Sequence, residues 1–376
     1  MKGWFSFLKS HKTTSHERSC LLAQKPPRRR QSPSRYRGRP RLPRPRCSSS
    51  SGGIESRSGP ARHACRQPPC QHRPHTPPLP RAPELHEGSR VAGGGVTDPF
   101  SAPIDLAATL RSGQVFHWHP NADGSWSGLI GAMPVRVSEK DRRLVVEKGD
   151  PATIARHFAL DHPLDEIAAA FPSDPMSQAA LTACQGMRIL RQPHWECTAT
   201  FITSSMKQVA HIRSMSLAIR ARFGLAVEGS EIPAYPSFEV LATASESTLR
   251  DCGLGYRAEN LLKTARLLAE GRLSLDSLSK QRTPTLRKSL MTLPGVGVKV
   301  ANCILLFAYE RLDAVPIDTW IHRILLAMRG GRDGTAAELA RYARRRLGPY
   351  AGYVQQYLFH HARSLKRAKS PSLPKN

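Results

Sequence analysis

Lys299 and Asp318 are the residues whose type and spacing most directly suggest bond-making chemistry. Lys299 follows Leu293-Pro294-Gly295-Val296-Gly297-Val298, and Asp318 stands nineteen positions on, after Val315-Pro316-Ile317. Pro294 fixes its own φ, while Gly295 and Gly297 open backbone conformations closed to other residues, so the stretch makes a tight turn between two helices. The second helix starts near Val298. Its first turn presents unpaired N–H groups, and the small glycines let a phosphate come close to them. Such a grip holds a nucleic-acid backbone without reading its bases. Lys299 lies in that turn, where the positive end of the helix dipole favours a neutral amine, and a neutral amine can attack carbon. On a basic surface the same lysine would serve as a phosphate contact. Cys303 lies four residues on and shares its helix face. Asp318 follows the helix-disfavouring Val315-Pro316 and precedes the apolar pattern Trp320, Ile321, Ile324, Leu325, so it reads as an N-cap. Its distance from Lys299 matches one helix of roughly three to four turns plus a short return. That permits the carboxylate to sit beside the amine without demanding it.

The elements that must hold these residues are of two kinds. Between Ile104 and Lys148 the pattern is short and strand-like. Val115–Trp118, Trp126–Ile130, Val135–Val137 and Leu144–Glu147 are separated by turn signals such as Asn121-Ala122-Asp123-Gly124, which predicts an antiparallel sheet. From Pro151 onward helical periodicity dominates. It predicts helices over Ile154–Leu160, Met176–Gly186, Trp195–Phe223, Ser237–Ala244, Ala258–Ala269, Val298–Tyr309, Thr319–Met328, Ala336–Leu347 and Tyr353–Leu365. The fold class is α+β: a small antiparallel β-sheet N-terminal domain followed by a mostly α-helical body. The expected divisions are a disordered basic tail over 1–98, the α+β domain over 99–190, the helical domain over 191–366 and a disordered end over 367–376.

Leu290 to Val300 together with Asp318 resembles the helix-hairpin-helix DNA glycosylase superfamily. The match spans roughly residues 103–366 and is more narrowly similar to the 8-oxoguanine DNA glycosylase branch. The segments that carry that narrower likeness are Ser112-Gly113-Gln114-Val115-Phe116-His117-Trp118, Arg188-Ile189-Leu190-Arg191-Gln192, Leu254-Gly255-Tyr256-Arg257-Ala258, Cys303, and Ala351-Gly352-Tyr353-Val354-Gln355-Gln356-Tyr357-Leu358-Phe359. The resemblance implies that Lys299 attacks C1′ of the damaged nucleotide and forms a Schiff base. It implies that Asp318 stabilises positive charge developing on the sugar. It further implies that the Gly113 carbonyl accepts the N7–H found in 8-oxoguanine and absent from guanine. Gln355 would bond the Watson–Crick edge, while Phe359 and Cys303 sandwich the base. Tyr256 would wedge near the extruded nucleotide, with Arg257 close to the opposite base, and Gly295 and Gly297 would hold the backbone. These roles suit base extrusion, which needs a slot with stacking faces and edge contacts, and discrimination by one N–H, which needs an acceptor that the wrong base leaves unpaired.

The chain departs from the family pattern at the strand-facing positions. Met206 and Lys207 stand where two asparagines follow the serine pair and contact the strand opposite the lesion. His211 stands where an arginine also reads the opposite base, and Trp320 replaces a histidine near a backbone phosphate. The nucleophile is retained, and preference for the opposite base is the property these changes touch.

Composition agrees with a polyanionic partner. Of the 376 residues, 56 are Lys or Arg against 29 Asp or Glu, a net charge of +27. Residues 1–100 hold 20 basic against 5 acidic side chains, which leaves 36 against 24 for the rest. The region outside the tail is therefore basic in its own right, which suits a polyanion, whether DNA, RNA or an anionic membrane, and its affinity should depend on salt. The Pro-, Arg- and Ser-rich tail lacks periodicity and reads as disordered. It is read either as an organellar transit sequence or as text upstream of a start near Val96. From residue 101 onward no apolar run is long enough to span a membrane. The eight cysteines show no disulfide or zinc spacing, and none follows Cys303, so the iron–sulfur cluster of some superfamily members has no ligands there. No cofactor or metal is needed, and an alkali ion at the hairpin is a family expectation only. The reading is a monomeric, DNA-associated base-excision-repair glycosylase with AP lyase activity, acting on duplex DNA with oxidised purines. It would work in the cytoplasm or nucleoid of a bacterium, or in the nucleus or mitochondrion of a eukaryote. The alternatives are a monofunctional glycosylase for another damaged base and a non-catalytic damage-binding protein.

Overall fold

The computed structural model describes residues 98–368. The expectation of a disordered tail falls almost wholly outside them. Helix α1 (Leu106–Arg111) is capped by Asp105, whose carboxylate accepts from Ala108 N–H. Four antiparallel strands follow in sequential order: β1 (His119–Pro120), β2 (Trp126–Ile130), β3 (Met133–Lys140) and β4 (Arg143–Lys148). Trp126 pairs with Val137, which pairs in turn with Val146. Val135, Val137 and Leu144 point inward onto a core with Ile104, Leu106, Trp118, Ile154 and Phe158, so β3 and β4 alternate as a half-buried sheet demands.

Val115–Trp118 is not a strand. All four side chains are buried, which an alternating strand cannot achieve with one solvated face. The carbonyls of this irregular stretch go to side chains instead of a ladder: Arg213 donates to Trp118 at 2.6 Å and to Phe116 at 3.3 Å.

The rest of the described chain is helical: α2 (Pro151–His157), α3 (Leu164–Ala169), α4 (Pro175–Ala183), α5 (His194–Thr203), α6 (Val209–Phe223), α7 (Phe238–Ala242), α8 (Glu246–Leu249), α9 (Arg257–Ala269), α10 (Thr283–Leu290), α11 (Val298–Phe307), α12 (Thr319–Met328), α13 (Ala336–Leu347) and α14 (Ala351–Ala368). The last of these starts two residues before the helix read from the sequence over Tyr353–Leu365 and runs three residues past it. The single helix expected over Trp195–Phe223 is two helices, α5 and α6, interrupted at Ser204–Gln208. Thr203 Oγ1 donates to the Thr200 carbonyl and Ser204 Oγ to that of Phe201. Hydroxyls compete in this way with the helical ladder. Met206 then takes φ +57°, a left-handed turn that no helix continues.

Helix α11 is buried from Val300 to Phe307 and packs between α5 and α10. Each fully buried Leu, Ile or Phe on it contributes about 1.5–3 kcal/mol of transfer free energy, so its register is strongly set. Gly352 lets α14 approach the loop after α11: its N–H donates to the Leu312 carbonyl at 2.7 Å, and a Cβ there would lie 2.3 Å from Leu306.

Candidate active site

The hairpin joins α10 to α11. Leu293 N–H donates to Leu290 and Val296 N–H to Leu293, which closes the turn. Gly295 has φ +79°, and a Cβ on it would lie 3.0 Å from Asn260. Gly297 caps α11 with no side-chain bond, and nothing lies within 4 Å of where its Cβ would be. The backbone at Gly297 is open to an approaching group, and the start of α11, without a side-chain cap, has the unpaired N–H groups that suit an anion.

Lys299 is half-buried in that first turn, its Nζ 5.8 Å from the centroid of the Phe201 ring. Phe201 stacks on Phe307 at 5.4 Å and meets Phe116 edge-on, so the amine stands over an aromatic floor built from three elements. Cys303, one turn along, is buried. Burial pushes its thiol up, and the neighbouring Lys299 pulls it partly back. It is thus a neutral packing surface at ordinary pH.

Asp318 is the N-cap of α12, as its setting in the sequence indicated. Its Oδ1 accepts from Trp320 N–H at 2.9 Å and Ile321 N–H at 2.8 Å. Burial pushes the carboxyl up, opposed by these two bonds and by the charges of Lys299 and Arg363. Asn302 determines where the chain returns: it donates to the Val315 carbonyl at 2.9 Å and accepts from Arg287 of α10 at 2.9 Å. One amide thereby ties both hairpin helices to the segment that carries Asp318.

The second cluster surrounds Gly113. Gln114 is fully buried, donates to the carbonyls of Thr109 and Arg188, and accepts from Leu190 N–H. Gln192 donates to the Gln114 carbonyl. Two segments far apart in sequence thus lock one another and display Gly113 with φ +90°. A Cβ there would meet Val209 and Arg363 at 3.1 Å and the Phe359 ring at 3.5 Å. Phe359 and Gln355 sit one turn apart on α14. Gln355 is buried and its Oε1 has no hydrogen-bond partner, an arrangement that costs free energy unless a ligand supplies a donor.

At the rim, Tyr256 is 55% exposed and Met206 90%. Lys207 and His211 are exposed beside Met206. Arg257 is buried. Its Nε donates to the Ser205 carbonyl at 2.7 Å, its Nη1 to Leu254, and its guanidinium lies 4.3 Å from the Tyr256 ring centroid. It joins the Met206 turn to Tyr256 from below, so its own reach beyond the surface is small. Phe201, Asn302 and Arg363 were not singled out from the sequence. The available signal for Arg363 was its position four residues after Phe359, on the same face of α14.

Residues 99–198 match the model of the 8-oxoguanine DNA glycosylase N-terminal domain, and residues 199–349 match that of the HhH-GPD superfamily of base excision DNA repair proteins. A probable N-glycosylase/DNA lyase of Methanothermobacter thermautotrophicus is 33% identical over 215 residues, covering 51% of this chain and 69% of that protein. The N-glycosylase/DNA lyase OGG1 of Arabidopsis thaliana is 30% identical over 280 residues, covering 68% and 76%. Among solved structures, the Clostridium acetobutylicum 8-oxoguanine glycosylase/lyase, bound to double-stranded DNA with cytosine opposite 8-oxoguanine, superposes with a TM-score of 0.67. It shares 26% identity and covers 70% of this chain and 93% of its own. The chain belongs to the 8-oxoguanine DNA glycosylase branch of the HhH-GPD superfamily.

Proposed function

We propose that this protein excises 8-oxoguanine from duplex DNA and cleaves the resulting site through a Schiff base on Lys299. The observation that carries the reading is one half-buried amine at a phosphate-ready helix start, within electrostatic reach of the half-buried Asp318, with an unsatisfied Gln355 in the neighbouring clamp. The hairpin grips a backbone phosphate at Gly295 and Gly297. The base leaves the stack, with Tyr256 and Met206 filling the space from the minor-groove side as apolar wedges do.

In the slot, Phe359 and Cys303 cover the two faces of the base. Gln355 Oε1 takes a donor from the Watson–Crick edge, and the Gly113 carbonyl takes the N7–H that distinguishes the lesion from guanine. Lys299 Nζ then bonds to C1′ as the N-glycosidic bond breaks, and the base departs with that electron pair and a proton. Asp318 stabilises the positive charge on the sugar. Opening of the sugar yields an imine, and loss of a 2′ proton expels the 3′ phosphate. The chemistry draws on protein groups alone. The hairpin carbonyls of Leu290 and Leu293 each accept one turn hydrogen bond and keep a lone pair for an alkali ion.

Strand contacts follow from the rim. Arg257 braces the turn; Met206, Lys207 and His211 meet the opposite strand and offer it no planar hydrogen-bonding fork, so excision varies little with the opposite base. We assign a monomer with a base-binding cleft between residues 99–190 and 191–366. The test is borohydride trapping on duplexes with 8-oxoguanine opposite each of the four bases, with Lys299→Gln alongside. A covalent complex with all four partners that is lost in the variant is expected. Base release that survives Lys299→Gln would replace the imine with water activated by Asp318, and neither trapping nor release would leave a binding protein.

A further inference from the structure

Arg363 touches the Gly113 half of the site, and its charge reaches the other. It lies on α14 one turn beyond Phe359 and two beyond Gln355, on the same face. Its Nη1 donates to the Ser112 carbonyl at 3.1 Å, and Gln356 Nε2 donates to the same oxygen at 3.2 Å. Its guanidinium carbon lies 5.1 Å from the Phe359 ring centroid. A Cβ on Gly113 would come within 3.1 Å of Nη1, so the glycine is what allows the guanidinium to lie against the backbone there. Its charge also acts on Asp318.

We propose that Arg363 is a positioning residue for damaged-base recognition, locking the Ser112–Gly113 peptide and the Phe359 ring into one base-receiving slot. This rests on the function proposed above and deepens it. Two donors from α14 hold the Ser112 carbonyl and so orient the peptide leading into Gly113. With Gly113 at φ +90°, that peptide fixes the direction of the Gly113 Cα–C bond and leaves only ψ to set where the Gly113 carbonyl points. The same guanidinium lies against the Phe359 ring and limits its tilt. The acceptor and the stacking face are therefore placed by one planar cation, which a flexible side chain could not do with equal economy of motion. Discrimination by a single N–H tolerates little displacement of its acceptor, and a shift of about 1 Å in a positioned group can cost about a hundredfold in rate. The Arg363 charge also acts on Asp318, the carboxylate proposed to stabilise the sugar.

The experiment compares wild type, Arg363→Met and Arg363→Lys on two duplexes, one with 8-oxoguanine and one with a preformed abasic site, under single turnover. The abasic substrate reports on Lys299 chemistry without needing a base in the slot. In Arg363→Met, which keeps the stem and loses the cation, the ratio of 8-oxoguanine excision to abasic-site cleavage should fall about tenfold or more. Arg363→Lys, which retains one donor and the charge, should recover part of that ratio. A ratio held at the wild-type value, whether both rates fall together or neither falls, would overturn the proposal. Wild-type protein that cleaves the abasic site and leaves 8-oxoguanine intact would overturn the substrate assignment and this inference with it, while trapping on the abasic site would still establish the amine.

Discussion

Asp318 shows one residue in two offices. As an N-cap it satisfies two backbone donors of α12 through Oδ1, and in the proposed reaction the same half-buried carboxyl, under the influence of the Lys299 charge, would stabilise the sugar. The two demands conflict, because burial pushes its carboxyl up and makes ionisation unfavourable in the folded state. A group whose folded pKa is raised stabilises the fold below its ordinary range and loses that contribution as pH rises through the folded value. At neutral pH the ionised Asp318 is therefore a cost to the fold. Asn is isosteric and also an N-cap, so Asp318→Asn should raise Tm by about 2 °C while cutting excision about a hundredfold or more. Calorimetry beside single-turnover kinetics checks both, and a clear drop in Tm would show that the carboxylate supports the fold instead. The sequence exposed this residue because capping has a local signature. Phe201, the floor beneath Lys299, had none, since a phenylalanine in an apolar helix looks like any core residue.

At the scale of elements, the hairpin and the interrupted helix pair behave in opposite ways. Pro294-Gly295-Val296-Gly297 was legible because its geometry is written in its own residue types. The left-handed Gly295 abuts Asn260, so Gly295→Ala combines an unfavourable φ with a close contact. It should destabilise the protein by about 1–3 kcal/mol and weaken duplex binding, read by denaturant unfolding and by fluorescence anisotropy. An unchanged midpoint would mean the hairpin relaxes freely. The break at Ser204–Gln208 could not be read from periodicity, because the apolar repeat continues through it from α5 into α6. The turn is held from outside, by Arg257 on the Ser205 carbonyl. Its neighbour across the site, Val115–Trp118, misled for the related reason that a buried irregular segment and a buried strand have the same composition.

Across the whole molecule, a buried polar network joins the segments around the sheet domain to the helical body. His162 bonds Tyr353 of α14 and Glu310 beyond α11, each at 2.7 Å, and Arg191 pairs with Asp161 and Glu310. Burial, opposed by Glu310, holds the His162 imidazole below its ordinary range. Glu310 is taken down to about 2: burial pushes it up, and bonds from His162 and Arg191 outweigh that. Both folded values lie below the unfolded ones, so each contributes stability that is present above its unfolded pKa and lost on acidification. The windows open near the histidine range and then between about pH 4.5 and about 2. Melting curves from neutral to acidic pH should fall in two stages. Glu310→Gln should start lower at neutral pH and lose less in the acidic stage. An unchanged acidic limb would remove Glu310 from the network's energetics.

The sequence by itself determined the fold class, the hairpin, the cap at Asp318 and the spacing that permits amine and carboxylate to meet, because these follow from φ preferences, helix periodicity and local hydrogen bonding. Tertiary structure alone decided that the chain returns far enough for the Lys299 charge to act on Asp318, with the Asn302 amide holding Val315. It alone also decided that Gly113 faces Phe359 across an arginine 250 positions further along the chain (Gly113 to Arg363). Contacts between segments so distant depend on how whole helices pack, and packing is a property of surfaces that no local window of residues contains.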